Sequence, residues 1–320
     1  MAESLSVDPS NFRLCFDVLS AEFSVSDFLY SRLATNHQQQ LDTLFEQGLI
    51  RVDGECVTST HKLQPGQKVE VTLPDHQEEP VDTQWYKLWE NDELMAVHKP
   101  HLLPVSRTTR NLYNTLISLI RRQTPYATAH LLHRLDAETS GIVLIAKTVA
   151  ADKKWKPQLG HLITRKVYQA WVFGNPKWDK KILDCELSEK NDSPIRSQVY
   201  VVDQDRSELY PKPKHSKTAF RVLQREGSRS LIECELYTGR KHQIRVHLAH
   251  LGYPIIGDKI YALSGQFYLK RLKAALQSDD FDQLGSEYHL LEASRLELNI
   301  DDEKVEIETF SPEMLSYSKE

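Results

Sequence analysis

The chain of 320 residues is too long for a single small domain and fits one large domain with a smaller one. Its composition, 40% hydrophobic and 27% charged, is typical of a globular protein. No apolar run reaches the roughly 18 residues that a membrane span needs. The formal net charge of −5 does not indicate a nucleic-acid binder. It does not exclude one either, because lysines and arginines cluster in the middle of the chain and binding depends on such clusters.

The cysteine pattern excludes the common metal and redox motifs. Cys15, Cys56, Cys185 and Cys234 lie far apart and form no Cys-x-x-Cys pair. The first residues, "MAESLSVDPS", lack the basic and apolar segments of a secretory signal. We therefore expect a cytoplasmic protein with no metal and no membrane partner.

Residues 1–78 are predicted to form a small α+β domain. Segments 23–33 and 38–50 carry apolar residues at helical spacing. The stretch "LIRVDGECV" has the pattern of two strands joined by a turn at Asp53 and Gly54. A further alternating strand follows in "KVEVTL".

Residues 79–320 are predicted to form one larger domain made mainly of strands, after a polar, proline-containing linker at 74–84. Strand patterns occur in "YKLWENDELMAVHKP", "SGIVLIAKT", "RKVYQAWVFG", "TAFRVLQ" and "SLIECELY". Amphipathic helices are predicted over "NLYNTLISLIRRQ" and "HQIRVHLAHLG".

The segment "HLLHRLDAETSGIVLIAK" places Asp136 just before a strongly apolar run. A carboxylate beside a buried strand costs free energy unless a cation or hydrogen-bond donor pairs with it. Asp136 is therefore either an ordinary residue at the end of a loop or a functional anion that the fold holds in place.

The segment "LYTGRKHQIRVHLAHLG" predicts a strand, a tight turn and a helix that begins near Lys241. Free backbone N–H groups at the helix start, with Arg240 and Lys241 beside them, would form an anion site. Arg245 lies on a different side of this helix from Ile244 and Leu248, so its guanidinium could reach inward to a carboxylate. The spacing alone does not exclude the alternative, an exposed cation.

Two other kinds of site are disfavoured. His242, His247 and His250 do not share one helix face at the i, i+4 spacing, which favours histidines in the core or facing a binding partner over metal ligands. Asp136 and Glu138 could form a glycosidase pair. Two residues apart in a loop, they need not point the same way, and no aromatic cluster for sugar binding is nearby.

Taken together, the chain resembles the RluA family of RNA pseudouridine synthases from about residue 85 to 300. The signature H-R-L-D-x-x-T-S-G is matched at 133–141, and T-G-R-x-H-Q-I-R-x-H at 238–247. G-x-P-I-x-G-D-x-x-Y is matched at 252–261, and K-x-Y-x-A-x-V-x-G at 166–174. The first domain resembles the S4-type RNA-binding domain of the larger family members.

The resemblance implies an α+β fold with a mixed, largely antiparallel curved sheet and a central cleft. It implies an isomerase that breaks the glycosidic bond of a uridine, turns the uracil and rejoins it through C5, without a cofactor. Large-subunit ribosomal RNA is the expected substrate, with tRNA as the alternative, and we expect a monomer. A non-catalytic RNA-binding or ribosome-assembly protein on the same fold is the rival interpretation.

The resemblance also implies roles for individual residues. Asp136 is the essential carboxylate, which acts on the ribose or takes its proton, and Arg245 is the cation that keeps it ionised. Burial alone would raise the pKa of Asp136. Tyr168 lies against the flipped uracil and handles the C5 proton. Arg134 fills the gap that the flipped base leaves, or contacts a phosphate. RNA contacts are also expected at His133, Arg240, Lys241, Lys99 and Lys166.

The match departs from the family pattern in two places. After Lys99 and Pro100 the family shows a small residue and Gly, where this chain has His101 and Leu102. Since Gly permits backbone angles that Leu resists, we expect this loop to differ. Glu292 stands where the family usually has His.

Overall fold

The computed structural model describes residues 11–18, 23–30, 33, 40–74, 78, 80–108, 111–311, 314 and 317. The chain divides into two compact units. The first consists of Met1–Pro80 and Arg107–Asn114, and the second of Val81–Ser106 and Thr115–Glu320. Among the described residues, no helix is long and apolar enough to cross a membrane.

Among its described residues, the first unit is a small antiparallel sheet packed against two short helices. Its elements are β1 (Asn11–Asp17), α1 (Val25–Tyr30), α2 (Leu41–Glu46), β2 (Ile50–Val52), β3 (Glu55–Cys56) and β4 (Lys68–Pro74). The strand order is β1-β4-β2-β3. Alternate residues of β4 are buried, because only one face of the sheet packs on the core. The helices and the Asp53–Gly54 hairpin lie where the sequence predicted them.

The second unit is larger and is built around strands. Its strands are β5 (Tyr86–Glu90), β6 (Leu94–Lys99), β7 (His130–Leu131), β8 (Ser140–Ala146), β9 (Ile163–Phe173), β10 (Lys180–Ser188), β11 (Tyr200–Val201), β12 (Lys214–Glu226), β13 (Arg229–Leu236), β14 (Leu291–Ile300) and β15 (Glu303–Glu308). Its helices are α3 (Leu116–Gln123), α4 (Val149–Trp155), α5 (Leu159–Leu162), α6 (Gln243–His250), α7 (Gln266–Arg271) and α8 (Ser278–Leu284).

In the part of the chain that the structure describes, these eleven strands form one sheet. The order is β11-β10-β12-β13-β9-β14-β8-β6-β5, with β15 beside β14 and β7 beside β8. Only the pairing of β14 with β8 is parallel among the described strand pairs. The predicted mixed, largely antiparallel sheet is therefore confirmed. Every residue of β6 and β8 is buried, as expected where both faces of a sheet are covered.

The close pairing of β8 with β14 requires a glycine at Gly141. Its φ is +104°, and a Cβ there would lie 2.3 Å from the carbonyl oxygen of Ala293. The glycine of the H-R-L-D-x-x-T-S-G signature thus lets the strand after Asp136 enter the middle of the sheet.

Two helix starts differ from the predictions. Helix α3 begins at Leu116 rather than Asn111, because the Glu78 carboxylate accepts the backbone N–H groups of Leu112, Tyr113 and Asn114. Helix α6 begins at Gln243 rather than near Lys241.

Candidate active site

The loop between β7 and β8 carries Asp136 and is held at several points. Leu135 is buried in the main hydrophobic core, and the Thr139 hydroxyl lies 2.7 Å from Nε2 of His289. The Lys99 ammonium donates to the carbonyl oxygen of Ala137 at 2.9 Å. The position of Asp136 is therefore set by its neighbours on both sides.

Arg245 connects Asp136 to a second carboxylate, Asp258. Its Nη1 donates to Oδ2 of Asp136 at 2.8 Å, across 109 residues of sequence. Its Nε and Nη2 donate to the two carboxylate oxygens of Asp258 at 2.7 and 2.9 Å. The guanidinium is thus held by a bidentate pair on one side and presents one N–H to Asp136 on the other.

The two carboxylates differ in exposure. Asp258 is fully buried, and its Oδ1 also accepts the backbone N–H groups of Ile260 and Tyr261. The Asp136 side chain is 36% exposed. No hydrogen bond reaches its Oδ1 from the described residues. Asp136 therefore offers one carboxylate oxygen to a substrate while the other is fixed.

The charges around Asp136 keep it ionised. Desolvation acts to raise its pKa, but the charge of the Arg245 guanidinium opposes this, and the pKa lies below its usual value. For Asp258, burial likewise acts to raise the pKa, and the Arg245 ion pair lowers it strongly. Both carboxylates are anionic at neutral pH, as the predicted pairing of Asp136 with Arg245 requires.

Asp258 belongs to the signature matched at 252–261, for which no role was predicted. The preceding Gly257 has φ +80°, and a Cβ there would lie 1.9 Å from the Tyr288 carbonyl oxygen. Only glycine fits this approach, which turns Asp258 beneath Arg245. The sequence feature that could have revealed this role is the G-D-x-x-Y motif, because a charged residue inside an apolar stretch requires a partner.

Tyr168 lies on β9, opposite Cys234 on β13 and Ala293 on β14. Its side chain is buried, and no described residue forms a hydrogen bond with its hydroxyl. Burial and the nearby Asp136 both raise its pKa, so the phenol stays protonated at neutral pH. A pocket of about 80 Å³ is lined by Arg134, Asp136, Tyr168 and Arg245, among others.

His242 and Tyr261 form a second layer beside Asp136. The Tyr261 hydroxyl accepts the Val199 backbone N–H at 3.0 Å and lies 3.0 Å from Nδ1 of His242. The Tyr261 hydroxyl can therefore donate its proton to Nδ1 of His242. The ring proton of His242 then lies on Nε2, and this atom is 3.8 Å from Oδ2 of Asp136. Burial, followed by Arg245, lowers the pKa of His242 to about 4, so the ring is neutral.

Comparison with known proteins identifies the relatives of this chain. The family model described as RNA pseudouridylate synthase matches residues 93–250, which include Asp136, Tyr168 and Arg245. A protein of Synechocystis named as an uncharacterized RNA pseudouridine synthase is 32% identical over 75% of this chain and 79% of its own length. The chain belongs to the RluA-type family of RNA pseudouridine synthases. It is an isomerase that converts uridine to pseudouridine in RNA.

Two further comparisons extend this result. The ribosomal large subunit pseudouridine synthase D of Nitrosomonas europaea is 30% identical over 70% of this chain and 64% of its own length. The solved structure of human RNA pseudouridylate synthase domain containing 1 has the same fold. Its TM-score is 0.57 and its identity 23%, over 73% of this chain and 86% of that one.

In this synthase, several residues predicted to bind RNA are exposed near the site. Arg134 and Arg240 are exposed, and both line the pocket that contains Asp136. Lys241 is exposed and pairs with Glu189 at 2.9 Å. Lys166 is half-buried on β9, and burial lowers its pKa.

Lys99 and His133 occupy structural positions instead. Lys99 is fully buried, and its ammonium donates to the carbonyl oxygens of Pro100, Leu103 and Ala137 at 2.8 to 2.9 Å. Burial lowers its pKa to about 7. An RNA contact was the wrong interpretation of Lys99, because the ammonium is enclosed and its donors are used. His133 Nε2 accepts the Leu144 backbone N–H at 3.0 Å, so this ring atom supports the sheet.

The family departures also have structural consequences. Leu102 has φ +64°, a left-handed conformation that a glycine would adopt without strain. The loop thus keeps a glycine-like backbone despite the substitution. His101 stacks on Tyr288 at 4.0 Å, and its Nδ1 lies 2.8 Å from the Glu138 carbonyl oxygen. Glu292 is fully buried and accepts the Ser311 backbone N–H at 2.9 Å.

The histidines considered as metal ligands have separate partners. His247 is buried between the hydroxyls of Ser216 and Thr218, at 2.9 and 3.0 Å, whereas His242 contacts Tyr261. In the described ranges, no group of three or more His, Cys, Asp or Glu residues is arranged to hold a metal ion.

Proposed function

We propose that this synthase acts on uridines of structured RNA with Asp136 as its essential carboxylate, and that large-subunit ribosomal RNA is its substrate. One observation carries the residue assignment. One oxygen of Asp136 is bound by a buried guanidinium, the other accepts no hydrogen bond from the described residues, and the residue lines a pocket together with a buried tyrosine.

Asp136 supplies the chemistry through its Oδ1. Cleavage of the glycosidic bond requires an anion at the ribose, either to attack it or to remove a proton from it. Both routes use a carboxylate oxygen to which no described residue donates a hydrogen bond. Arg245 keeps the carboxylate charged without taking that oxygen, and Asp258 keeps the guanidinium oriented toward it.

Tyr168 positions the detached uracil. Its ring borders the pocket, and its hydroxyl has no competing hydrogen bond from the described residues. Because the phenol stays protonated at neutral pH, it can carry the C5 proton only as a relay: its oxygen accepts that proton while its own proton passes to solvent in the pocket. After C5 has bonded to the ribose, this proton must leave the base.

Arg134 assists extrusion of the uridine. A nucleotide must leave the stack to reach Asp136, at a cost of a few kcal/mol. Arg134 is exposed at the same pocket, and its planar guanidinium can stack and donate hydrogen bonds in the vacated position.

Large-subunit ribosomal RNA is favoured over tRNA because a relative at 30% identity is named a ribosomal large subunit pseudouridine synthase. Such a substrate implies a cytoplasmic site of action.

We assign the first unit an RNA-binding role that supports the same substrate, with the exposed cations Arg51, Lys62 and Lys68 as contacts. K62E/K68E should lower RNA affinity while leaving single-turnover rates at saturation unchanged.

The test is to map pseudouridines in ribosomal and transfer RNA from a strain that lacks the gene, complemented with either wild type or Asp136→Asn. Wild type should restore modification at particular uridines of large-subunit RNA, and Asp136→Asn should restore none. Restoration only in tRNA would overturn the substrate assignment. If wild type binds RNA but modifies no uridine, the non-catalytic interpretation is correct.

A further inference from the structure

A second and larger cavity lies beside the catalytic pocket. We call it the lysine cleft; its volume is about 550 Å³, and it is bounded by Leu187, Val199, Pro211, Lys212, Lys214, Arg240 and Lys241. Arg240 lines both this cleft and the pocket that contains Asp136 and Tyr168. A chain that enters the catalytic pocket can therefore continue past Arg240 into the cleft.

The rim of the lysine cleft is basic. Lys212 and Lys214 are exposed, and no described residue forms an ion pair or hydrogen bond with either ammonium. Lys241 pairs with Glu189 at 2.9 Å, and Glu189 is the one carboxylate among the described residues that line the cleft. Four cations against one anion at a concave surface favour a polyanionic ligand.

The floor of the cleft is apolar and firmly supported. Leu187 and Val199 belong to a buried cluster that includes Val246 of helix α6. The Val199 backbone N–H also donates to Tyr261, which contacts His242 beside Asp136. The floor is thus part of the same packed structure that positions the catalytic carboxylate.

An apolar floor with a basic rim fits the two parts of a nucleotide. The volume lies within the range of about 300–1,000 Å³ that small-molecule sites occupy. A base can lie against the apolar wall while neighbouring phosphates meet the ammonium groups, as in other single-strand sites. A flat surface that carries only solvated lysines would offer no cavity for the base.

We propose that the lysine cleft binds one unpaired nucleotide next to the target uridine, with its base against Leu187, Val199 and Pro211 and its phosphates on Lys212 and Lys214. This rests on the proposed function, because it extends the path of the same RNA. It restricts substrates to uridines whose neighbour can also leave the stack, as in loops and bulges rather than continuous duplex.

Binding should be measured with a fluorescein-labelled single-stranded oligouridylate of about twelve nucleotides, within the usual site sizes of single-strand binders. K212A/K214A should reduce the slope of log affinity against log salt by about 1.4, since each phosphate contact contributes about 0.7 for single strands. K180A/K181A is the matched control. It removes two exposed lysines at the other end of β10 and should leave the slope near that of wild type.

Displacement by uridine 5′-monophosphate and by ribose 5-phosphate separates base binding from phosphate binding. Uridine monophosphate should displace the oligouridylate better, because only it carries a base for the apolar wall, and K212A/K214A should weaken displacement by both compounds. Equal displacement by both compounds would overturn the nucleotide site. An unchanged salt slope in K212A/K214A would overturn any role of the cleft in RNA binding. A different outcome is that wild type forms no pseudouridine while K212A/K214A still has the smaller salt slope and uridine monophosphate is still the better competitor. In that case the proposed function fails and the cleft assignment stands.

Discussion

Asp136 and Glu138 lie two residues apart on one loop, yet their surroundings differ. Asp136 receives one side-chain hydrogen bond, at Oδ2, and its side chain is 36% exposed. Both carboxylate oxygens of Glu138 accept hydrogen bonds from the Lys259 ammonium, at 3.0 and 3.1 Å. Its Oε2 also accepts the His289 backbone N–H at 3.2 Å. Arg271 lies 3.5 Å from Oε1 of Glu138.

The comparison shows which property distinguishes two carboxylates on one loop. Desolvation acts to raise the pKa of each carboxyl, but neighbouring cations outweigh this and lower it, so both are ionised. Charge therefore does not distinguish them. The number of unoccupied oxygen atoms does, because only Asp136 retains one for a ribose. This also disfavours a glycosidase pair, in which both carboxylates would need access to the substrate.

The largest expected effect is on turnover. Asp136→Asn keeps the size of the side chain but removes its charge, and we expect the single-turnover rate to fall by about 10³-fold or more. Glu138→Gln is the matched control, with the same change on the same loop, and should retain a rate within about tenfold of wild type. Comparable losses in both variants would show that the two carboxylates do not have separate roles.

Arg245→Ala should abolish activity with only a modest loss of RNA affinity, because it leaves Asp136 without its cation. It also leaves Asp258 buried and unpaired, a loss of about 3–5 kcal/mol of stability. Asp258→Asn is therefore the second variant. It keeps Arg245 but loosens its orientation, and a rate loss of about 10²-fold is expected with a near-native circular dichroism spectrum. A wild-type rate in both variants would remove Arg245 from the mechanism.

Lys99 binds the carbonyl of Ala137, which lies between the two carboxylates. Lys99→Met keeps the aliphatic stem but leaves three carbonyl oxygens, two of them in buried hydrogen bonds, without their donor, and we expect a loss of about 2–3 kcal/mol in urea unfolding. The turnover rate should fall less than in Asp136→Asn, since the carboxylate itself remains. An unchanged unfolding free energy would show that the loop does not depend on Lys99.

The smallest effect concerns pH. Burial lowers the pKa of His242 and of His289 to about 4, against about 6.5 in an unfolded chain. Between these values only the unfolded state takes up the protons, so stability falls as pH drops from about 6.5 to 4. Thermal unfolding should show this slope, and His242→Gln should reduce it. Melting temperatures that do not change over this interval would contradict the buried neutral state.

Most elements of both units were predictable, because apolar residues recur at periods that identify helices and strands. The pairing of Asp136 with Arg245 also followed from sequence, since the resemblance connected two signatures and a buried carboxylate needs a cation. The start of helix α3 was not predictable. It depends on Glu78, more than thirty residues earlier, binding backbone N–H groups that would otherwise continue the helix.

The sequence by itself determined the family and the order of most helices and strands, and it predicted Asp136 and Arg245 as partners, because these depend on residue type and local spacing. Only the tertiary structure decided which charged groups are enclosed. It buried Lys99 under three carbonyls, occupied both oxygens of Glu138 and left one oxygen of Asp136 open. The reason is physical: burial and hydrogen-bond occupancy depend on contacts between residues distant in sequence, which local spacing does not specify.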